Sequence, residues 1–454
     1  MYKTFLLFAC FAPVAAAISA AVPAPPLPER WQYAEASEQT LPADDGWWSE
    51  FADPVLDSLI NLGEEANYDI AIAVRRVEIA RQQLREARAA WYPQIGLSGG
   101  YERARQAGVT ANTYSAMATA SWEIDIFGRV RESVKAGRNT YLASRADRVG
   151  TMVSVAAEIG SAYMQLRVWQ AELAVAEAHI SRQDTIAGIA NARFECGLAA
   201  KVDVDQARGI LYSTRATVPA LRTSIRKAVN TIALLTGRYA AEIEPLLDVG
   251  SGLPDYRRLI PAGIPADILR RRPDVVAAEY SVAAAAAQVG IAKKDFLPSL
   301  TINGSVGVSS DGHGKFFSSD HLVYTVAPTL SWTLFDGMAR NARVAAAREQ
   351  EQSLVEQYRY TVMNAVAETD NALCAYTEAV RSIADCERAA AAASEFLTLS
   401  LELYTQGLSD FTNVANAQVS YLQYANSVIT ARGNALAALV DLYRALGGGY
   451  SLQL

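Results

Sequence analysis

Cysteine and histidine are scarce in this chain of 454 residues. It carries four cysteines, Cys10, Cys196, Cys374 and Cys386, and three histidines, His179, His313 and His321. No pair among them has zinc-ligand spacing. No Ser/His/Asp or Cys/His pattern is present that could activate a nucleophile, so a hydrolase reading has no constellation to stand on. Cys374 and Cys386 fall on one predicted helix, which sets them about 18 Å apart and beyond reach of a disulfide. Isolated polar residues on long helices, His179 among them, read as surface residues. The chain reads as a protein without catalytic, cofactor or metal chemistry. Its net charge is -7 with no basic block, which disfavours a nucleic-acid partner.

What the sequence does carry is a repeat of elements. Gly197-Leu198 recurs as Gly407-Leu408, an offset of 210 that also relates Val204 to Val414, Ala207 to Ala417, Gly237 to Gly447 and Ser121-Trp122 to Ser331-Trp332. Upstream the offset is 205, relating Asp69 to Asp274 and Pro93 to Pro298. Each unit opens with a helix, at 69–90 and 274–294. Trp91-Tyr92-Pro93 ends one and Phe296-Leu297-Pro298 the other, since proline cannot continue a helix and suits a strand entry. The expected strands span 95–106, 113–126, 299–309 and 321–334, joined by Gly- and Ser-rich links at 106–112 and 310–320. Long helices are expected over 129–194 and 340–404, and returning helices over 202–236 and 412–446. The first repeat thus covers 22–240, a connection 241–265 and the second repeat 266–454.

The second strand of each unit alternates. Tyr114, Ala116, Ala118, Ala120, Trp122, Ile124 and Ile126 share one face; Leu322, Tyr324, Val326, Pro328, Leu330, Trp332 and Leu334 do so in the second copy. Period two over more than ten residues matches a tilted barrel strand, and taken alone it equally fits a soluble antiparallel sheet. Four strands cannot close a membrane barrel, and an open edge in lipid leaves backbone groups unpaired at several kcal/mol each. A membrane role therefore requires several chains to pool their strands. Beyond the N-terminus no run reads as a membrane-spanning helix.

The long helices need partners as well. Val155, Ile159, Ala162, Leu166, Trp169, Leu173, Ala176 and Ile180 follow a 4-3 spacing, and Val362, Val366, Thr369, Leu373, Tyr376, Val380 and Ile383 nearly repeat it. This is a coiled-coil seam on helices about 100 Å long if continuous. Gly160 and Gly188 could instead break the first one into shorter helices.

Residues 1–21 read as a secretion signal, with Lys3, an apolar stretch from Phe5, and Ser19-Ala20-Ala21 ahead of cleavage at Val22. The rival reading is a lipoprotein signal, Leu7-Phe8-Ala9 preceding a lipidated Cys10.

The run Ile264-Pro265-Ala266-Asp267-Ile268-Leu269-Arg270-Arg271-Arg272-Pro273-Asp274-Val275, continuing to Phe296-Leu297-Pro298-Ser299, resembles the signature of the TolC/OprM outer membrane efflux family, in its NodT-like branch. Trp47-Trp48, Phe51, Asp53-Pro54 and Asp125-Ile126-Phe127-Gly128 fit the same pattern. The resemblance implies a mixed fold, a long coiled-coil α-helical barrel joined to a membrane β-barrel of twelve strands shared by a homotrimer. It implies outer membrane lipid around the strands. It further implies a periplasmic membrane-fusion adaptor and an inner-membrane pump of the resistance-nodulation-division type as partners, with transport, including multidrug efflux, through a passive duct. By the same resemblance the turns at Gly197, Leu198, Gly407 and Leu408 meet the adaptor, and the periplasmic gate lies beside them. Gate candidates are Asp203, Asp205, Asp410, Asn413 and Asn416; relatives carry aspartates at the positions of Asn413 and Asn416. Helix capping and the macrodipole are an alternative account of the acids. A periplasmic coiled-coil protein without a conduit is the alternative to the whole reading.

Overall fold

The computed structural model describes residues 46–248, 252–254, 272–311 and 316–450. The expected signal segment, Cys10, His313, most of the connection 241–265 and the family signature up to Arg271 lie outside the described residues.

The elements come in matched pairs. α1 (Pro54–Ala66) and α2 (Tyr68–Ala89) lead to β1 (Gln94–Gln106) and β2 (Val109–Ile124). α3 (Arg129–Glu195) and α4 (Lys201–Leu235) follow, then the short α5 (Ala240–Leu247). The second copy is α6 (Pro273–Lys294), β3 (Ser299–Ser310), β4 (Leu322–Ser331), α7 (Ala339–Thr405) and α8 (Phe411–Ala445). α3 and α7 each have 67 residues, α4 and α8 each 35, α2 and α6 each 22. Equal lengths at fixed offsets are what two copies of one unit require.

α3 runs unbroken through both suspect glycines. Gly160 serves close packing, since a Cβ there would stand 3.1 Å from the Trp47 ring and 3.5 Å from Val440. The seam faces inward along its length: Val155, Ile159, Leu166 and Ala176 are buried and Ala162, Trp169, Leu173 and Ile180 half-buried. The reading that found no spanning helix needs a correction: α6 is long and apolar enough to cross a membrane by length and composition alone. Its counterpart α2 occupies the matching place with Arg75, Arg76, Arg81, Arg85 and Arg88. α6 packs on α3 and α7, burying Val275, Ala277, Val282, Ala285, Ala287 and Val289.

The strands form one antiparallel sheet in the order β1-β2-β3-β4. Register aligns the two chemistries in rows. Leu97, Ala118, Val306 and Tyr324 lie side by side, and the next row reads Gly96, Thr119, Ser305 and Thr325. One face is therefore apolar and open, with Leu97 86% and Tyr324 78% exposed, while the other is lined by hydroxyls, amides and glycine. Three strand boundaries differ from the expectation by two residues or more, one of them the end of β2 at Ile124 rather than 126. β2 begins at Val109, because Ala107 and Gly108 take φ 50 and 85 and close a two-residue hairpin of the type that needs positive φ at both positions. β4 ends at Ser331, where its only neighbour, β3, begins at Ser299. β2 has neighbours on both sides and extends to Ile124 opposite Leu300.

At the far end of the sheet from that hairpin, each copy repeats one anchor. Trp122 Nε1 donates to the Trp91 carbonyl at 3.1 Å, and Trp332 Nε1 donates to the Phe296 carbonyl at 3.0 Å. The largest core lies midway along the helices. Trp47, Phe51, Leu56 and Ile60 pack there on Ile159, Leu166, Ile232, Leu247, Leu439 and Leu442, with Trp47 stacked on Tyr443 at 5.1 Å. Tyr163 donates to Asp53 at 2.5 Å and accepts from Arg167 Nε at 3.0 Å, while Arg167 Nη1 reaches the Leu247 carbonyl at 3.1 Å. Burial, reinforced by the Asp53 hydrogen bond, raises the phenol's pKa, so Tyr163 stays a donor. The network joins the segment before α1, α3 and α5. A matched staple holds each helix pair: Asn67 Nδ2 donates to the Leu235 carbonyl at 2.8 Å, and Arg272 Nη1 to the Ala445 carbonyl at 2.9 Å.

Candidate functional site: the two hairpin tips

α3–α4 and α7–α8 each turn at a glycine in the left-handed region, Gly197 at φ 74 and Gly407 at φ 76. Both turns close in the same way. The Leu198 N–H bonds the Arg193 carbonyl at 2.8 Å and the Leu408 N–H the Leu403 carbonyl at 2.9 Å. The glycine N–H groups bond Phe194 and Tyr404 at 2.9 and 3.0 Å. This is a Schellman closure, which a residue with a Cβ fits poorly. It leaves Leu198 and Leu408 at the extreme ends, 67% and 71% exposed.

The structure gathers the candidate residues at these tips. Asp203 is half-buried in the first turn of α4, and Asp205, two residues on, is exposed. Asp410 is exposed at the N-cap of α8, with Asn413 and Asn416 exposed on its first turns. Capping does not account for them. The N-caps are Ala200 and Asp410, and neither side chain bonds a helix N–H. Asn413 instead donates to Ser409 Oγ at 2.9 Å. The macrodipole part of the alternative remains available to Asp203, which lies in the first turn of α4.

Several residues that hold the tips escaped the sequence reading. Arg193, in the last turn of α3, donates to the Thr405 carbonyl at 2.8 Å and lies 4.9 Å over the Tyr404 ring. Tyr404 meets Phe411 edge-to-face at 5.2 Å, and both are buried with Ile186, Ala190, Val204, Ala207, Val414 and Ala415. Burial, then the nearby Asp203 carboxylate, raises the Tyr404 pKa and keeps the phenol neutral. The sequence signal for Arg193 is weak, since its partner is a carbonyl 212 residues away.

Between this tip cluster and the midway core the seam turns polar. His179 and Gln183 on α3 and Gln418 on α8 are each 2% exposed, and their side-chain nitrogens and oxygens find no protein partner. The Tyr421 ring meets His179 at a tilt of 30°, with centroids 4.8 Å apart. The surface reading of His179 is thus wrong, because the α3–α8 contact covers that side of the helix. Continuing the 4-3 spacing past Ala176 and Ile180 lands on Gln183, the one trace the sequence holds of this layer. Among the described residues no group of acids, histidines and cysteines could hold a metal ion, and Cys196, Cys374 and Cys386 are unpaired.

The family model described as Outer membrane efflux protein matches residues 59–238 and 264–448, one match per repeat. Nodulation protein T of Rhizobium leguminosarum bv. trifolii is 29% identical over 438 residues, covering 95% of this chain and 93% of that protein. The probable efflux pump outer membrane protein TtgC of Pseudomonas putida (strain KT2440) is 27% identical over 449 residues, covering 95% and 92%. The solved structure of the outer-membrane channel OprN superposes with a TM-score of 0.85 at 27% identity, over 95% of this chain and all of that one. These matches span both repeats, the sheet and the helices, and they favour a conduit over a periplasmic coiled-coil protein without one. The molecule is an outer-membrane channel of a tripartite efflux system, set in the outer membrane of a Gram-negative cell and extending into the periplasm. The chain belongs to the outer membrane efflux protein family.

Proposed function

We propose that three copies pool their strands into one twelve-stranded barrel and their helices into one periplasmic tunnel, a passive exit duct without catalysis. The observation that carries this is the sheet. It has four strands, an unpaired edge at β1 and another at β4, and one open apolar face. Such a sheet cannot stand in lipid alone, and three copies joined β4 to β1 remove every edge. The 67-residue helices then extend about 100 Å into the periplasm. There the tips at Gly197-Leu198 and Gly407-Leu408 engage a membrane-fusion adaptor, which couples the duct to an inner-membrane pump of the resistance-nodulation-division class. The division into repeats at 22–240 and 266–454, joined by 241–265, belongs to the same reading, as does the choice between a cleaved signal and a lipidated Cys10.

Asp203, Asp205, Asp410, Asn413 and Asn416 line the periplasmic constriction in this reading. Carboxylates at Asp203, Asp205 and Asp410, repeated three times around an axis, make a ring that attracts cations and repels itself. The amides at Asn413 and Asn416 bond without adding charge. Planar-bilayer conductance of the purified trimer tests this. Replacing all three aspartates by alanine is expected to lower cation preference and weaken block by divalent cations several-fold. Unchanged selectivity and block would remove these residues from the gate.

A further inference from the structure

Among the described residues two arginines on the sheet stand without a charged partner, unlike Arg129, Lys294 and Arg340 at its other end. Arg129 pairs with Glu123, Lys294 with Glu132 and Arg340 with Asp336, all near the end where the helices leave the sheet. Arg103 and Arg105 sit near the opposite end, on β1, exposed and without an ion pair or side-chain hydrogen bond.

Their place on the sheet is fixed by register. Ile95, Leu97 and Tyr101 share the apolar face, and Arg103 and Arg105 continue the same odd-numbered series. Arg103 lies opposite Asn112 and Arg105 opposite Thr110, and both partners extend the even-numbered series of Tyr114, Ala116 and Ala118. Glu102, the adjacent acid, points to the other face. Both guanidinium groups therefore stand on the lipid side of the barrel, and this placement rests on the barrel reading above.

Height follows from strand geometry. Trp122 marks one end of the apolar band, and the Tyr101–Tyr114 pair, rings 5.0 Å apart, marks the other. Eight residues from Trp122 to Tyr114 span about 27 Å along the strand, or about 21 Å along the membrane normal at a tilt near 40°. That is close to the apolar band of a barrel bounded by aromatic girdles. Arg103 and Arg105 are two and four residues beyond Tyr101, so they stand about 5 and 10 Å above that girdle. The helices leave from the Trp122 end into the periplasm, so the arginines are at the outer leaflet.

We propose that Arg103 and Arg105 form a binding site for the phosphate groups of the outer-leaflet glycolipid, lipid A. A guanidinium presents a planar fork of donors that matches phosphate oxygens two at a time. Asn112 and Thr110 stand beside the forks as further polar groups, and the Tyr101 hydroxyl is already held by Asn112 Oδ1 at 3.2 Å. Tyr101, Tyr114 and Leu97 below supply an apolar wall for the acyl chains. Three copies place six such arginines around the rim.

The test uses the full-length trimer, purified from outer membranes and washed in detergent. Retained lipid A per trimer is counted by mass spectrometry. Rebinding is then measured with bisphosphorylated lipid A, with lipid A from which both phosphates have been removed, and with phosphatidylglycerol. Wild type is expected to favour the bisphosphorylated form at least tenfold over both others. R103Q/R105Q should lose that preference, R103K/R105K should recover part of it, and R388Q on α7 should retain it in full. Equal wild-type binding of the phosphorylated and dephosphorylated forms overturns the proposal, as does equal binding of phosphatidylglycerol, which marks general anion capture. Should the double variant fail to assemble, the wild-type comparison decides alone. A failure of the barrel reading is distinguishable, because the wild-type protein would then neither insert into bilayers nor conduct.

Discussion

The two hairpin tips share a backbone and a Gly-Leu turn, and they differ in which side chains they bury. Gly197 and Gly407 close identical turns, and the helices leaving them have equal lengths. At the repeat offset, however, Phe194 matches Tyr404 and Lys201 matches Phe411. Phe194 is 41% exposed and Lys201 exposed, while Tyr404 and Phe411 are buried at 3% and 1%. Asp205, exposed, matches Ala415, buried. The second tip is pinned into an apolar cluster and the first tip lies over it, holding on through Arg193. Glycine placement dictates the shape of both turns, and side-chain divergence decides which tip is anchor and which is clasp.

The largest expected effect tests the anchor. Phe411→Ala should destabilise the tip region by about 3–5 kcal/mol, the usual cost of deleting a buried aromatic ring. Phe194→Ala at the first tip should cost little, as exposed substitutions do. Hydrogen exchange of the two turns and urea unfolding of the trimer read both. Equal effects would erase the distinction between the tips. The clasp should count for less. Arg193→Ala removes a charge-assisted hydrogen bond to Thr405 and a cation–π contact, together about 1.5–3 kcal/mol. The expected signature is faster exchange at both tips and a raised basal conductance; a change confined to the first tip would show that Arg193 does not bridge them.

The smallest effect concerns the polar layer above the tips. Burial, followed by the nearby Arg182 guanidinium, lowers the pKa of His179 from its ordinary 6.5. The unfolded chain therefore takes up the proton first as pH falls. Stability from the neutral ring is complete above about pH 6.5 and is lost as pH drops toward the lower folded value. The unfolding midpoint of the wild-type trimer should fall between about pH 7.5 and about pH 5.5, and His179→Leu should flatten that slope. Parallel slopes would show that His179 contributes nothing to the acid response.

Much of this architecture was legible before the structure. Period-two alternation located the sheet's two faces, the 4-3 seam located the helical contact, and the repeated Gly-Leu pairs located both tips. These are local properties, repeated along the chain and therefore readable along it. The misreadings have a common cause. The hairpin at Ala107–Gly108 puts alanine where glycine or asparagine is the usual signal. The end of β4 depends on where its neighbour β3 begins. His179 reads as surface on its own helix and is buried by α8.

The sequence by itself determined the two units, the length of each helix, the alternation of the strands and the need for more than one chain, because propensity, period and unpaired strand edges are set within a few residues. Only the tertiary structure decided that Arg193 grips Thr405, that Tyr163 binds Asp53, and that the seam carries an unpaired polar layer. Each of those depends on which distant segments are brought within a few ångströms, and no local pattern encodes that distance.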